Sequence, residues 1–171
     1  MSKFIEITPQ QFKHNPFKLI GKDWMLITAK KDIDDKVNTM TAAWGGFGFM
    51  WGKDVTYIVV RPQRYTKEFV DNSNCFSLTF FDERFKETLS YIGTNSGRDE
   101  DKIKKSNLTL NYEYNIPYFE ESNIAIFCRK LYAQDIKPEC FTEKELDRRW
   151  YAESDHHTLY IAEIEKILIK E

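Results

Sequence analysis

The sequence predicts a mainly β chain with short peripheral helices, folded as a closed or nearly closed antiparallel barrel. Two observations predict this class. About six or seven segments are short, apolar and rich in β-branched or aromatic residues, and turn residues bound them. Crossover helices at regular βαβ spacing are missing, which argues against a doubly wound parallel sheet. A third feature sets the organisation. No linker-like stretch divides the 171 residues, a length that suits one core, so one domain over 1–171 is expected.

The elements follow in chain order. Thr8-Pro9 before Gln10-Gln11 reads as a helix N-cap with proline at the first position. That helix should stop before Pro16, because the residue preceding proline avoids the helical region. Trp24 to Lys30 (WMLITAK) is a strand, Asp32 to Lys36 a charged turn, and Val37 to Trp44 (VNTMTAAW) the antiparallel return. Val55 to Arg61 (VTYIVVR) is the clearest strand, and Pro62 ends it. A short helix starts at Thr66, Cys75 to Phe81 is a buried strand, and Arg84 to Ile92 and Asp99 to Lys105 are helical. Asn107 to Phe119 reads as loop with short extended pieces around Pro117. Asn123 to Ile136 is a long β-rich run, Thr142 to Trp150 a capped helix, and His157 to Ile169 the closing strand.

Composition removes several functional classes. Hydrophobic residues at 42% and charged residues at 30% describe a globular chain. The net charge of -2 supplies no basic footprint for nucleic acid or an anionic membrane. The longest uncharged apolar-leaning run, Ala42 to Gly52, is roughly half of what a spanning helix requires. The N-terminus lacks the apolar core of a signal peptide. Cys75, Cys128 and Cys140 are odd in number and widely spaced, which fits a reducing, cytoplasmic compartment rather than a disulfide framework. His156 and His157 are adjacent and would face opposite sides of a strand, so no metal site is expected. Trp24, Phe47, Phe49 and Trp51 read as core or interface aromatics.

Three segments have a composition unusual for scaffolding. Asn38 to Gly46 combines small residues, two glycines and Trp44. On a strand, Asn38, Met40, Ala42 and Trp44 share one face and Thr41 the other. Such a surface lets a flat ligand approach the backbone. Arg61-Pro62-Gln63-Arg64-Tyr65-Thr66 gathers two guanidinium groups, a hydroxyl and the N–H groups of a helix start. Phosphate dianions are bound by such groups. Gly93 to Lys102 (GTNSGRDEDK) offers an anion nest around Ser96 and Gly97 with Arg98 and Lys102 beside it. It lacks the spacing of a nucleoside triphosphate loop. Taken singly, these segments also read as a strand end, a solvated turn and a capped helix.

Together they carry a resemblance. The stretches Asn38 to Trp44 (NTMTAAW), Arg61 to Thr66 (RPQRYT), Asn74 to Leu78 (NCFSL), Ser96 to Lys102 (SGRDEDK) and His157 to Glu163 (HTLYIAE) appear in the order seen in the flavin reductase-like family. That family has the FMN-binding split-barrel fold, and the chain is similar to its flavoredoxin-type members. The resemblance implies an antiparallel split β-barrel, a homodimer, and FMN bound near the subunit interface. It implies that Asn38, Met40, Thr41, Ala42 and Trp44 line the isoalloxazine and ribityl chain. Arg61, Arg64, Tyr65 and Thr66 would hold the ribityl and phosphate end. Ser96, Gly97, Arg98 and Lys102 would close over the phosphate or meet a nicotinamide nucleotide, and His157 would sit near the flavin or the incoming substrate. The stretch from Asn107 to Asp155 does not align with the family. The implied activity is an NADH- or NADPH-dependent flavin reductase passing electrons through FMN to free flavin or another acceptor. No side chain need act as general acid or base for hydride transfer. The alternative is a flavoredoxin-like electron-transfer protein, which binds FMN and takes electrons from a protein donor. Pyridoxamine-phosphate oxidases share the barrel, as would a haem-binding or cofactor-free binding protein, so fold alone does not choose.

Overall fold

The computed structural model describes residues 3–171. Its elements are β1 (Phe4–Ile7), α1 (Pro16–Lys18), β2 (Met25–Lys30), β3 (Val37–Ala42), β4 (Gly45–Met50), β5 (Lys53–Val60), α2 (Tyr65–Asp71), β6 (Cys75–Phe80), α3 (Lys86–Thr94), α4 (Lys102–Lys105), β7 (Leu110–Glu113), β8 (Ile116–Phe119), β9 (Ile124–Asp135), α5 (Lys144–Trp150) and β10 (Thr158–Lys170). The main sheet is antiparallel, in the order β3-β2-β6-β9-β10-β5-β4, with β1 added to β10.

Two features turn this sheet into an open barrel. β3 and β4 stand at opposite ends of the strand order, yet only Ala43 and Trp44 separate them. Three Cα–Cα steps reach at most about 11 Å. The sheet must therefore curl until its two edges almost meet, without the hydrogen bonds that would close it. The second feature is the 13-residue β10. β9 flanks it throughout, but its other neighbour changes. Thr158 to Glu163 pair with β5, and Ile167 to Lys170 pair with β1. Register shifts between Ile161 and Ala162 and between Ile164 and Lys166 bend the strand where the sheet forks.

The curled sheet encloses the main core. Met25, Ile27 and Ala29 of β2 meet Ile58, Val60, Phe76, Leu78, Ile126, Tyr160 and Ala162 there. β2 is covered on its other face as well, since Leu26 packs with Leu89, Ile92 and Phe119 beneath α3. Coverage on both faces explains the unbroken apolar run in the sequence. The buried Thr28 and Thr39 hydroxyls, paired across β2 and β3, hydrogen-bond at 2.9 Å. At the corner, a Cβ on Gly45 would lie 2.6 Å from the Tyr57 carbonyl oxygen, and φ is +156°. Any larger residue would push β4 away from β5.

Several expectations are corrected. The short helix expected after Thr8-Pro9 does stop before Pro16, but it is a single 3₁₀ turn over Pro9–Gln11, followed by α1, which Pro16 itself opens. Asn15 Oδ1 accepts from the Phe17 N–H at 3.0 Å, and proline at the first helical position loses no hydrogen bond. The Val37 strand ends at Ala42, not Trp44. The run Gly45–Met50 forms β4, which the glycines hid, and Asn107–Phe119 contains a hairpin of β7 and β8. β1 had no signal beyond its four residues. Of the four aromatics read as core or interface, Phe47 and Trp24 pack against apolar clusters, and Phe49 and Trp51 are exposed. No helix among the described residues is long and apolar enough to cross a membrane.

Candidate functional site

The corner between the sheet's edges is where the three unusual segments converge. β3 leaves the sheet there, α2 begins after the Arg61–Arg64 turn, α3 ends in the 94–101 loop, and β10 starts at Thr158. A cavity of about 330 Å³ lies between Met40, Arg61, Arg64, Tyr65, Thr66, Ser96 and Lys102. A smaller one of about 180 Å³ opens toward Thr41, Ala42, Trp44 and His157, and shares Met40, Arg61 and Arg64 with it. A third, of about 340 Å³, continues past Tyr65 and Lys102 to Asn38, Gly97 and Arg98. Every residue that the resemblance assigns to the flavin site lines one of these adjoining clefts.

The four cations differ sharply in what they touch. Arg61 is paired with Asp155, and its Nη2 donates to the Trp150 carbonyl at 2.9 Å. Arg98 binds Glu68 at 2.5 Å and the Gln63 carbonyl at 3.1 Å, which clamps the 96–98 loop onto α2. Arg64 and Lys102 have no carboxylate partner among the described residues. Arg64 donates to the Gly93 carbonyl at 2.9 Å. Lys102 is 4% exposed, and its Nζ donates to the carbonyls of Ile92 and Asn95, each at 3.0 Å. Burial, then the nearby Arg64 charge, pushes the Lys102 pKa down to about 8. Two cations on one cavity with no ion-paired carboxylate, Glu100 only nearby, make a site that favours an anion.

Neutral groups complete this end. Asn38 Nδ2 donates to Thr66 Oγ1 at 2.9 Å, tying β3 to the first turn of α2. A Cβ on Gly97 would lie 2.4 Å from Asn38 Oδ1, so the loop's close approach requires glycine. Ser96 Oγ accepts from the Arg98 N–H at 3.2 Å and shapes the same turn. The Tyr65 ring lies beneath the Arg98 guanidinium, 4.8 Å from centroid to carbon. Thr41 Oγ1 donates to the Leu89 carbonyl at 2.5 Å, and this bond fixes the distance between β3 and α3.

The opposite end is aromatic. Trp44 is 40% exposed and packs edge-on against Trp150, with centroids 5.0 Å apart, and against the His157 ring at 5.1 Å. His157 is buried, and its Nδ1 lies 2.8 Å from the Tyr151 hydroxyl. Burial, reinforced by Arg61, lowers its pKa to about 4, so the imidazole is neutral at pH 7. Sequence reasoning missed Trp150, Tyr151 and Asp155, which α5 and the loop after it bring to the site. They lie in the unaligned stretch, and their partner Arg61 is about ninety positions away. A separate cleft of about 430 Å³ between Lys18, Phe81 and Lys86 holds none of the predicted residues.

Comparison with known proteins is consistent with this geometry. The family model described as the flavin reductase like domain matches residues 18–171. No curated protein matches the chain. Among solved structures, the chain is similar to an FMN-binding domain of a flavin reductase-like enzyme from Shewanella baltica, with TM-score 0.71 and 16% identity over 98% of this chain and 78% of that one. It is similar to the flavoredoxin of Desulfovibrio vulgaris, with TM-score 0.67 and 22% identity over 86% and 69%. It is also similar to an NADH:FAD oxidoreductase of Streptomyces globisporus, with TM-score 0.65 and 11% identity over 87% and 78%. At these identities the structural likeness speaks for the fold, a split barrel. The match of the family model along nearly the whole chain goes further: this chain belongs to the flavin reductase-like family.

Proposed function

We propose that the chain is an FMN-binding oxidoreductase, a flavin reductase that draws electrons from NADH or NADPH. The observation that carries the reading is the pair Arg64 and Lys102, two cations on one cavity that make no ion pair among the described residues. A phosphate monoester matches that pair in charge and in acceptor geometry. Tyr65, Thr66, Ser96 and Gly97 would surround the phosphate and ribityl end, beside Asn38. Met40, Thr41, Ala42 and Trp44 would flank the ring system, with His157 at its far side. Arg61 and Arg98 act through their partners, Asp155 and Glu68, and hold the walls of the cleft.

FMN, when bound, supplies the acceptance and release of hydride or single electrons. The protein's share is position and electrostatics. Arg64 and Lys102 fix one end of the ligand and leave the other against Trp44. The neutral His157 adds no charge there and offers one ring nitrogen to the cavity. Met40 and Ala42 give an apolar wall, and Trp150 packs edge-on against the Trp44 ring beside it.

Arg64→Ala should weaken FMN binding by about 1.5–3 kcal/mol, the loss expected for a charge-assisted contact. Fluorescence titration reads that change, and an unaltered affinity would remove the phosphate assignment. Steady-state oxidation of NADH and NADPH tests the enzymatic half. FMN retained without either oxidation would give the electron-transfer reading instead. We also take the protein to be a homodimer, with exposed Phe49, Met50 and Trp51 on the β4–β5 hairpin as its apolar contact. A single monomeric species in sedimentation velocity at micromolar concentration would contradict that part.

A further inference from the structure

His157 and Tyr151 form a contact whose direction follows from chemistry. A neutral imidazole carries one N–H and one lone-pair nitrogen, and the partner of one decides what the other presents. Nδ1 lies 2.8 Å from the Tyr151 hydroxyl oxygen. Among the described residues Nε2 has no hydrogen-bond partner, yet the one sealed, unpartnered side-chain polar atom there is Thr79 Oγ1. Nε2 is therefore open to solvent, and the space His157 lines is the cavity beside Trp44, Ala42 and Arg64.

Two arrangements satisfy the 2.8 Å contact. In one, the phenol donates to Nδ1 and the ring proton sits on Nε2. In the other, Nδ1–H donates to the phenol oxygen and Nε2 is bare. The first is favoured on three counts. A phenol is a stronger acid than a neutral imidazole, and an imidazole lone pair is a stronger base than a phenol oxygen. The Arg61 guanidinium, 5.2 Å from the Tyr151 ring centroid, favours negative charge on the phenol oxygen and opposes the burial that raises the phenol's pKa. In the second arrangement the buried hydroxyl would lack an acceptor for its own proton, since among the described residues its only partner is His157. The Tyr151 ring is fixed from its other side by His156, stacked at 4.4 Å and bound through Nε2 to Asp147 at 2.6 Å.

We propose that Tyr151 is a positioning residue: its hydroxyl holds His157 as the Nε2–H tautomer, so that the cavity beside Trp44 meets a neutral N–H donor suited to a carbonyl or carboxamide oxygen. A ligand group that is itself an N–H donor finds no acceptor at this point. The tautomer is a property of the free protein, and only the identity of the oxygen rests on the flavin reading.

Long-range ¹H–¹⁵N correlation spectra of the ligand-free, ¹⁵N-labelled full chain test the proposal. The chain has three histidines, and His157→Gln identifies the signals of His157 by their loss. A pyridine-type Nδ1 with a pyrrole-type Nε2 is expected in the wild type at pH 7. Tyr151→Phe, which removes a single oxygen, should shift His157 toward a mixed or Nδ1–H pattern. A pyrrole-type Nδ1 in the wild type overturns the proposal, and so does an unchanged tautomer in Tyr151→Phe. A pyrrole-type Nδ1 in the wild type overturns the proposal even where that variant fails to fold, whereas the assignment to Tyr151 rests on the shift in Tyr151→Phe. Adding FMN should then move the Nε2–H signal. FMN that binds and leaves it unmoved overturns the claim that the donor faces the ligand. FMN that fails to bind, with the Nε2–H pattern present in the wild type and shifted in Tyr151→Phe, supports the positioning role and contradicts only the flavin reading.

Discussion

At the scale of single residues, the site is decided by which charges remain unpaired. Arg61, Arg64 and Arg98 look alike in the sequence. Long-range contacts to Asp155 and Glu68 engage two of them and leave Arg64 with Lys102. Those contacts lie 94 and 30 positions apart and have no local signal. Lys102 was legible as a candidate, but its burial and its two carbonyl caps were not. Its lowered pKa has a direct consequence. Below about pH 8 the free protein holds Lys102 charged and ready for an anion. Above it, binding must also take up a proton. FMN affinity should fall as pH rises from 7.5 to 9, by up to about tenfold per pH unit once past the free pKa. Titrations across that range check this, and a constant Kd would detach Lys102 from the ligand. His157 gives a second pH dependence, in stability. Its folded pKa of about 4 lies below the unfolded value of 6.5, so the unfolded chain binds more protons between those values. The contribution is present above pH 6.5 and is lost as pH falls toward 4. Its size is about 3 kcal/mol. Urea midpoints of wild type and His157→Gln should converge as pH falls from 7 to 4, and parallel curves would contradict a buried neutral imidazole.

At the scale of elements, the sequence marked the strands whose side chains pack on the core and missed those whose role is geometric. β2, β5, β6 and β10 carry β-branched or aromatic runs and were plain. β4 reads as GGFGFM and resembles a turn, because its glycines serve close backbone approach at Gly45 rather than strand propensity. Pro16 was legible only in part. A proline that reads as a stop for the turn before it also opens a new helix, which Asn15 caps. The 94–101 loop shows how an element boundary builds the site. Gly97→Ala would drive a Cβ into Asn38 Oδ1 and toward Tyr65, and the Asn38–Thr66 bond would have to give way. The variant should lose about 1–3 kcal/mol of stability, as for overpacking. FMN affinity should fall with it. Thermal melts with and without FMN separate the two effects, and a wild-type melt would contradict the close approach.

At the scale of the whole molecule, the sheet brings distant segments to one corner. The mainly antiparallel class was legible from strand density and from the missing crossover helices. The strand order was not, because residues 158–170 alone do not reveal that β10 changes partner halfway along. Nor was the role of α5, whose exposed, charged sequence reads as a solvated helix while its end delivers Trp150 and Tyr151 to the cleft. The two-residue link from β3 to β4 forces the sheet's edges together, and the unpaired cations and Trp44 meet at the opening this creates. The central claim is that this opening holds FMN. The most direct test is the visible absorption spectrum of the purified protein after incubation with FMN and exhaustive dialysis. The account predicts oxidised-flavin bands that stay with the protein at one equivalent per chain and bleach on reduction with NADH or NADPH. A colourless protein after dialysis, with no binding in a direct FMN titration, would contradict it.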